Sequence, residues 1–513
     1  MKINTLFNTI RYLKPIQFYY RIKNKFNHSK AKKYTGIKFK TVDLFIDELH
    51  NDKDYLKRFN TNGNSVELLN QQIELDFKGL NKYSPLIRFN AEYFEYAIVW
   101  AQKGIPFDDF KQKWNEYVAA DIPLQPYVIS LQLPNLVIAM NLYGIQDQDI
   151  YDELFSRYKW LIKHQEKHLL ANHYFENLKA IIIGSCLFNE EKVLKKYVKR
   201  LYKECAEQIL SDGVHFELSL MYHKLILEDL LLINRVAHSK MFVKYIQLML
   251  NAMTSLEDGF NRTPLFNDAG DNVAKSASSL IRACKNELGL SPSYQNSFPI
   301  AGYYKLRCEN ISVLIDAGYI GPNYNPGHSH CDCLSFEVFI DKQPLFVNSG
   351  TYQYQGEKRQ YFRSTKAHNT LMIDNHEQSD LWGEHRAGKR IKKVAGTIDS
   401  DTFCGTFLNQ FNEKSNREIS FKNGYLSVLD SFESVKEDIV ARSYLHLAPG
   451  YSYQDGMIIG FGTKYIIEFF GCTANEEESV YSSKFGVVEK NICLVFSWKT
   501  DKKKHGYAIK LIA

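Results

Sequence analysis

The 513-residue sequence predicts two architectures in series, an array of paired helices and then an antiparallel β domain. Three observations carry this. Apolar residues recur at three- and four-residue steps from about residue 65 to 290. Short connections bearing Gly, Asp, Asn or Pro separate these runs. Near residue 295 the texture changes to short runs rich in Val, Ile, Tyr and Phe.

Residues 1–64 form a basic segment that opens with MKINTLFNTIRYLKPIQFYYRIKNKFNHSKAKK. It lacks the unbroken apolar run and small-residue cleavage site of a secretory signal, so the sequence points to the cytoplasm. Such a basic amphipathic stretch could lie on a membrane surface, but the expectation is a solvated helix packing on the body of the protein. No run of about eighteen apolar residues occurs, so no membrane-spanning helix is expected.

Residues 65–295 form the helical domain. NAEYFEYAIVWAQKG, PNLVIAMNLYGI, DELFSRYKWLIKHQEKHLL, NLKAIIIGSCLF, EKVLKKYVKRLYKECAEQIL and MYHKLILEDLLLINRVA are its helices. YGIQDQD at 143–149 and SDG at 211–213 are among the breaks. Successive hairpins of this kind build a toroid or a solenoid. The boundary falls in LGLSPSYQNSFPIAG, residues 288–302. Residues 296–513 then supply strands such as LSFEVFIDKQPLFVNSG, YLSVLDSF, KYIIEFFG and NICLVFSW. The cleft between two such domains is a common ligand site.

The net charge of +6 is small for this length, so nucleic acid is not implied, while an acidic polymer could still meet a local basic groove. Aromatics at 14% exceed what a core alone needs and can serve as sugar-stacking platforms. The nine cysteines contain no C-x-x-C pair and read as reduced, buried thiols. Cys331 and Cys333 alone are too few for a thiolate metal site.

Polar groups interrupt the apolar pattern at four places. PGHSHCDCLSFEVFIDKQPLFVNSGTYQY carries His328 and His330, which would share one face of a strand. ANHYFEN sets Asn172 beside His173 with Asn177 one turn on, SDGVHFELSLMYHKLILEDLL presents Tyr222, and PLQPYVISLQLPN holds Gln132. Asn172 also fits a helix cap, and Tyr222 a core aromatic. Taken together, however, Asn, His and Tyr from helices facing a strand His suit proton abstraction beside a carboxylate. A uronic acid has a weakly acidic C5–H next to its carboxyl group. Asn and protonated His can neutralise that carboxylate as charge moves into it. Tyr and His can take the proton and protonate the departing oxygen. Glycoside hydrolysis would want two bracketing carboxylates, which do not present themselves.

These stretches resemble the signature regions of the heparinase II/III-like polysaccharide lyases, with the motif series in order over roughly residues 120–450. The resemblance implies an incomplete α/α toroid followed by an antiparallel β-sheet domain, and β-elimination of an acidic polysaccharide. It makes Asn172 and His173 the neutralisers of the substrate carboxylate, Tyr222 the general acid, and His328 the second proton-transfer group. Gln132, Asn177 and Arg363, the last in YFRSTKAHNT, would bind substrate. A structural zinc would be held by His330, Asn348 and His368, with Asp332 in reserve. Two positions depart from the family pattern: Asn348 stands where an aspartate is usual, and Gln132 where an arginine is frequent. These departures leave a non-catalytic polysaccharide-binding protein of an exopolysaccharide pathway as an alternative, and a zinc-dependent hydrolase as another. By resemblance the compartment would be the periplasm.

Overall fold

The computed structural model describes residues 3–25, 29–59, 61–62, 65–271, 273–434, 438–501 and 503–511. Helices Tyr96–Gln102, Pro126–Tyr143, Ala171–Leu187, Leu220–Ala237 and Ala277–Leu288 each pack on the next along an arc. Helices Phe107–Ala119, Gln148–Lys163, Glu191–Gln208 and Val243–Glu257 alternate with them on the outside. Sequence explains the division. NLKAIIIGSCL is mostly apolar, its Asn177, Lys179 and Ser185 are paired inside, and nearly all of its helix is buried. EKVLKKYVKRLYKECAEQ instead buries only the stripe of Tyr197, Leu201, Cys205 and Gln208. The array is the incomplete α/α toroid expected.

One stretch differs from the helical expectation. Residues Ser65–Leu68 and Gln71–Glu74 pair as antiparallel strands. Leu69 and Asn70 both take positive φ, the two-residue turn that matches strand twist. The apolar core of the helical body takes up side chains from Leu44 onward, including Leu49 and Tyr55.

From Ser297 the chain is antiparallel sheet. A five-stranded sheet runs in chain order from Ser297–Phe298 to Gln343–Phe346. An eight-stranded sheet starts at Lys392–Asp399, and a four-stranded sheet holds Leu371–Ile373 at one edge. KSNREISFK and YLSVLDSFE alternate buried and half-exposed residues, the pattern of strands with one face on a core. That core joins Tyr304, Phe336, Phe403, Val428 and Phe496. All nine cysteines are free thiols. No described helix is long and apolar enough to cross a membrane.

The two domains share apolar contacts where the site will prove to lie. Val214, Leu218, Leu256 and Phe260 meet Phe298, Tyr303, Leu314 and Phe339. Beside them Met221, Tyr222 and Leu265 meet Val347, Ala448 and Phe485. Burial on both sides fixes the helical and β halves of the cleft against each other.

Candidate active site

His328 and His330 do not lie on a strand, as their alternation predicts. Pro326 and Gly327 turn the chain, and the strand begins only at Ser335. The two imidazoles are nevertheless brought together by one carboxylate. Asp268 Oδ2 lies 2.9 Å from His328 Nδ1, and Asp268 Oδ1 lies 2.8 Å from His330 Nε2. Arg359 closes the same carboxylate with both Nη atoms. Burial would raise the Asp268 pKa, but Arg359 and the two histidines hold it well below the usual carboxylate range. An ionised Asp268 accepts from His328 Nδ1–H and so leaves Nε2 as the basic nitrogen.

Tyr222 stands in the first turn of Leu220–Ala237. Ser219 caps that helix, accepting from the Tyr222 N–H, and its hydroxyl donates to the Asp268 carbonyl at 2.7 Å. The Tyr222 ring lies 4.1 Å from the His328 ring, and its hydroxyl is 2.9 Å from that of Tyr354. Burial, reinforced by Tyr354, pushes the Tyr222 pKa well up, so the phenol is protonated at neutral pH.

Asn172 and His173 open the Ala171–Leu187 helix, directly after Leu170 and Ala171 with φ of 62° and 51°. Left-handed backbone at non-glycine residues costs about 1–3 kcal/mol each and collects at functional sites. The Asn172 Oδ1 is buried without a hydrogen bond. His173 Nδ1 sits 3.1 Å from Glu166 Oε1, and its ring packs on Tyr127 at 4.5 Å. Burial works against the His173 charge, but Glu166 outweighs it and raises the pKa, while a third of the side chain reaches solvent. Glu217 links the two halves. It is buried with neither carboxylate oxygen hydrogen-bonded in good geometry, and burial raises its pKa against the pull of His328 and His173.

Three residues expected to bind substrate are placed elsewhere. Gln132 is buried in Pro126–Tyr143, donating to the Glu92 carbonyl and accepting from Arg157. With both ends of its amide engaged and no exposed surface, it offers no free group to a substrate. Asn177 spends its amide on the Glu166 carboxylate, the Glu166 N–H and Ser130. It therefore positions Glu166, which in turn holds His173. Arg363 is buried and donates to the carbonyls of Ser329, Gly383 and Glu384, bracing the histidine loop.

His330, Asp332 and His368 offer metal-ligand atoms that all lie within 4.8 Å of one another. His330 Nδ1 and His368 Nε2 are buried without hydrogen bonds, an arrangement that fits a cation and otherwise leaves two polar atoms unsatisfied. Asn348 does not stand as the third free donor. Its Oδ1 lies 3.1 Å from His368 Nδ1 and accepts from Ser335 Oγ at 2.8 Å. Asn348 thus orients the imidazole, and Asp332 is the carboxylate that lies within reach of both histidines. No cysteine joins the group among the described residues.

Sequence reasoning missed Asp268, Arg359, Tyr354, Glu166 and Glu217. Tyr354 and Glu217 lay inside motifs singled out for other polar residues, and a loop aspartate such as Asp268 in FNDAGD has no periodicity to mark it.

The comparisons with known proteins follow the same division of the chain. The family model described as "Heparinase II/III N-terminus" matches residues 129–296, and "Heparinase II/III-like, C-terminal" matches residues 291–507. A heparin-sulfate lyase of Pedobacter heparinus is 26% identical over 258 residues, 41% of this chain and 38% of that protein. The aligned stretch thus spans well under half of that relative's length. The crystal structure of a heparinase III shares the fold with a TM-score of 0.70 at 15% identity, covering 99% of this chain and 93% of that one. The heparan sulfate lyase structure from Pedobacter heparinus does so with a TM-score of 0.57 at 15% identity, over 97% and 88%. With both halves matched in order across most of its length, this chain belongs to the heparinase II/III-like family.

Proposed function

We propose that the chain is a polysaccharide lyase that cleaves an acidic, uronic-acid-containing polysaccharide by β-elimination. The observation that carries this reading is the Tyr222–His328 pair, a buried protonated phenol against an imidazole whose tautomer Asp268 fixes. The Asn172 amide and the His173 cation receive the uronate carboxylate and stabilise the charge that develops on it. His328 Nε2 removes the C5 proton. As the C4–O bond breaks and the C4–C5 double bond forms, the Tyr222 hydroxyl protonates the departing oxygen, and Tyr354 lies in reach to restore its proton. The raised Tyr222 pKa favours this division, with Tyr222 as acid and His328 as base.

His330, Asp332 and His368 would hold the metal, and imidazole with carboxylate suits zinc. When bound, it would compensate the buried charge and brace the histidine loop. A zinc-dependent hydrolase needs an open coordination position, whereas all three ligands here are buried. The non-catalytic alternative has less support, because Asn172, His173, Tyr222 and His328 are all present despite the changes at Asn348 and Gln132. Incubation with uronate polymers separates these readings: a lyase yields an unsaturated, ultraviolet-absorbing end, a hydrolase yields reducing ends without it, and a binding protein yields neither.

A further inference from the structure

Two helices outside the matched family regions are inside out. In Ile3–Ile10 the polar side chains face the protein: Thr5 donates to Asp380, and Thr9 to the Ala387 carbonyl. Leu6, Phe7 and Ile10 face outward, Phe7 being 64% exposed. In Pro15–Lys25 the buried residue is Gln17, turned toward the carbonyls of His168, Leu169 and Tyr324, while Asn24 meets His168. Ile16, Phe18, Tyr19 and Ile22 point out, with Ile22 64% and Tyr19 59% exposed. Nearly half of the large apolar side chains exposed among the described residues lie between Leu6 and Ile22. A soluble surface has no use for such a concentration.

Charge identifies the occupant. Residues 3–25 carry five Lys or Arg and no Asp or Glu, and among the described residues only Lys14 of these pairs with an acid, Glu207. Eleven Lys or Arg precede the first acid at Asp43, although the whole chain carries only +6. A second copy would bring a like-charged face against this one. An acidic polysaccharide would pair the cations but leave Leu6, Ile10, Ile16 and Ile22 in water. A bilayer with anionic headgroups satisfies both, burying the apolar row at the acyl boundary while the basic residues meet phosphate. A cavity of about 390 Å³ lined by Tyr20, Lys23, Lys163 and Lys167 adjoins the second helix, suited to a phosphodiester group.

We infer that residues 3–25 form a docking surface for an anionic membrane, held to the helical domain at His168 and to the β domain at Asp380 and Ala387. The strap contacts His168 and Leu169, a few residues before Asn172, and Ala387, two residues after His385, so docking sets the cleft next to the lipid surface.

Vesicle sedimentation tests this. The full chain should bind equimolar phosphatidylcholine–phosphatidylglycerol vesicles about tenfold more than pure phosphatidylcholine, and less as salt is raised. The double variant F7S/I22S should lose about tenfold in that binding with an unchanged thermal midpoint, since both side chains already stand in water. Equal binding to both vesicle types, or an unaffected double variant, would overturn the inference. So would a dimer in gel filtration that the variant dissolves, which assigns the face to a second copy. Retention on an immobilised uronate polymer that the variant abolishes, without vesicle binding, would give the face to the polymer and equally overturn it.

Discussion

Tyr222 and His328, 106 residues apart and from different domains, pack with ring centroids 4.1 Å apart and planes tilted by 35°. Ser219 and Asp268 tie the two together: the serine caps the tyrosine's helix and donates to the Asp268 carbonyl, while the Asp268 carboxylate grips the histidine. The proton donor and the base are therefore positioned by one local network.

Tyr222→Phe should reduce kcat by roughly two to four orders of magnitude, since it removes the transferred proton and little else. The ring contact with His328 remains, so polymer binding and thermal midpoint should stay near wild type. A kcat within threefold of wild type would take Tyr222 out of the chemistry. Tyr354→Phe, which removes only the hydroxyl partner, should cost less.

Glu166→Gln should move the alkaline limb of the kcat profile to lower pH. His173 works as a cation, which exists below its pKa, and Glu166 raises that pKa against burial. Removing the carboxylate lowers the pKa, so the cation is lost earlier as pH rises. A profile that only scales down without shifting would mean that Glu166 merely supports the fold.

Gln132→Leu should destabilise the protein by about 1–3 kcal/mol while leaving KM unchanged. It strands the Glu92 carbonyl and one Arg157 N–H in the core, and a buried group without its partner costs about that much. A raised KM at unaltered stability would return Gln132 to the substrate site.

Chelation should lower the thermal midpoint, and Asp332→Ala should lose the metal as fully as His330→Ala. Asn348→Ala should weaken metal binding only about 10–100-fold, the usual effect of removing a group that orients a ligand. Metal content and melting curves of the three variants decide it. Complete loss in Asn348→Ala would place Asn348 in the coordination sphere.

The fold was legible because periodicity is local: the switch from three- and four-residue steps to β-branched runs near residue 295 needs no partner to be seen. The site was legible only where polar residues broke that pattern, as at Asn172, His173, Tyr222 and His328. Direction was not. Gln132 and Arg363 carry the right chemistry, but their helices turn them into the interior, where Gln132 meets the Glu92 carbonyl and Arg157 and Arg363 meets loop carbonyls. His328 and His330 looked like a strand pair, and Pro326-Gly327 made them a loop. Asp268 joins them from about sixty residues away, a pairing that tertiary folding alone creates.

The most direct test follows ultraviolet absorbance and reducing ends together, as the wild type and Tyr222→Phe act on a panel of uronic-acid polymers. On the polymer that is cut, absorbance from the C4–C5 double bond should rise in step with new reducing ends for the wild type and be nearly absent for the variant. New reducing ends with no absorbance would contradict β-elimination.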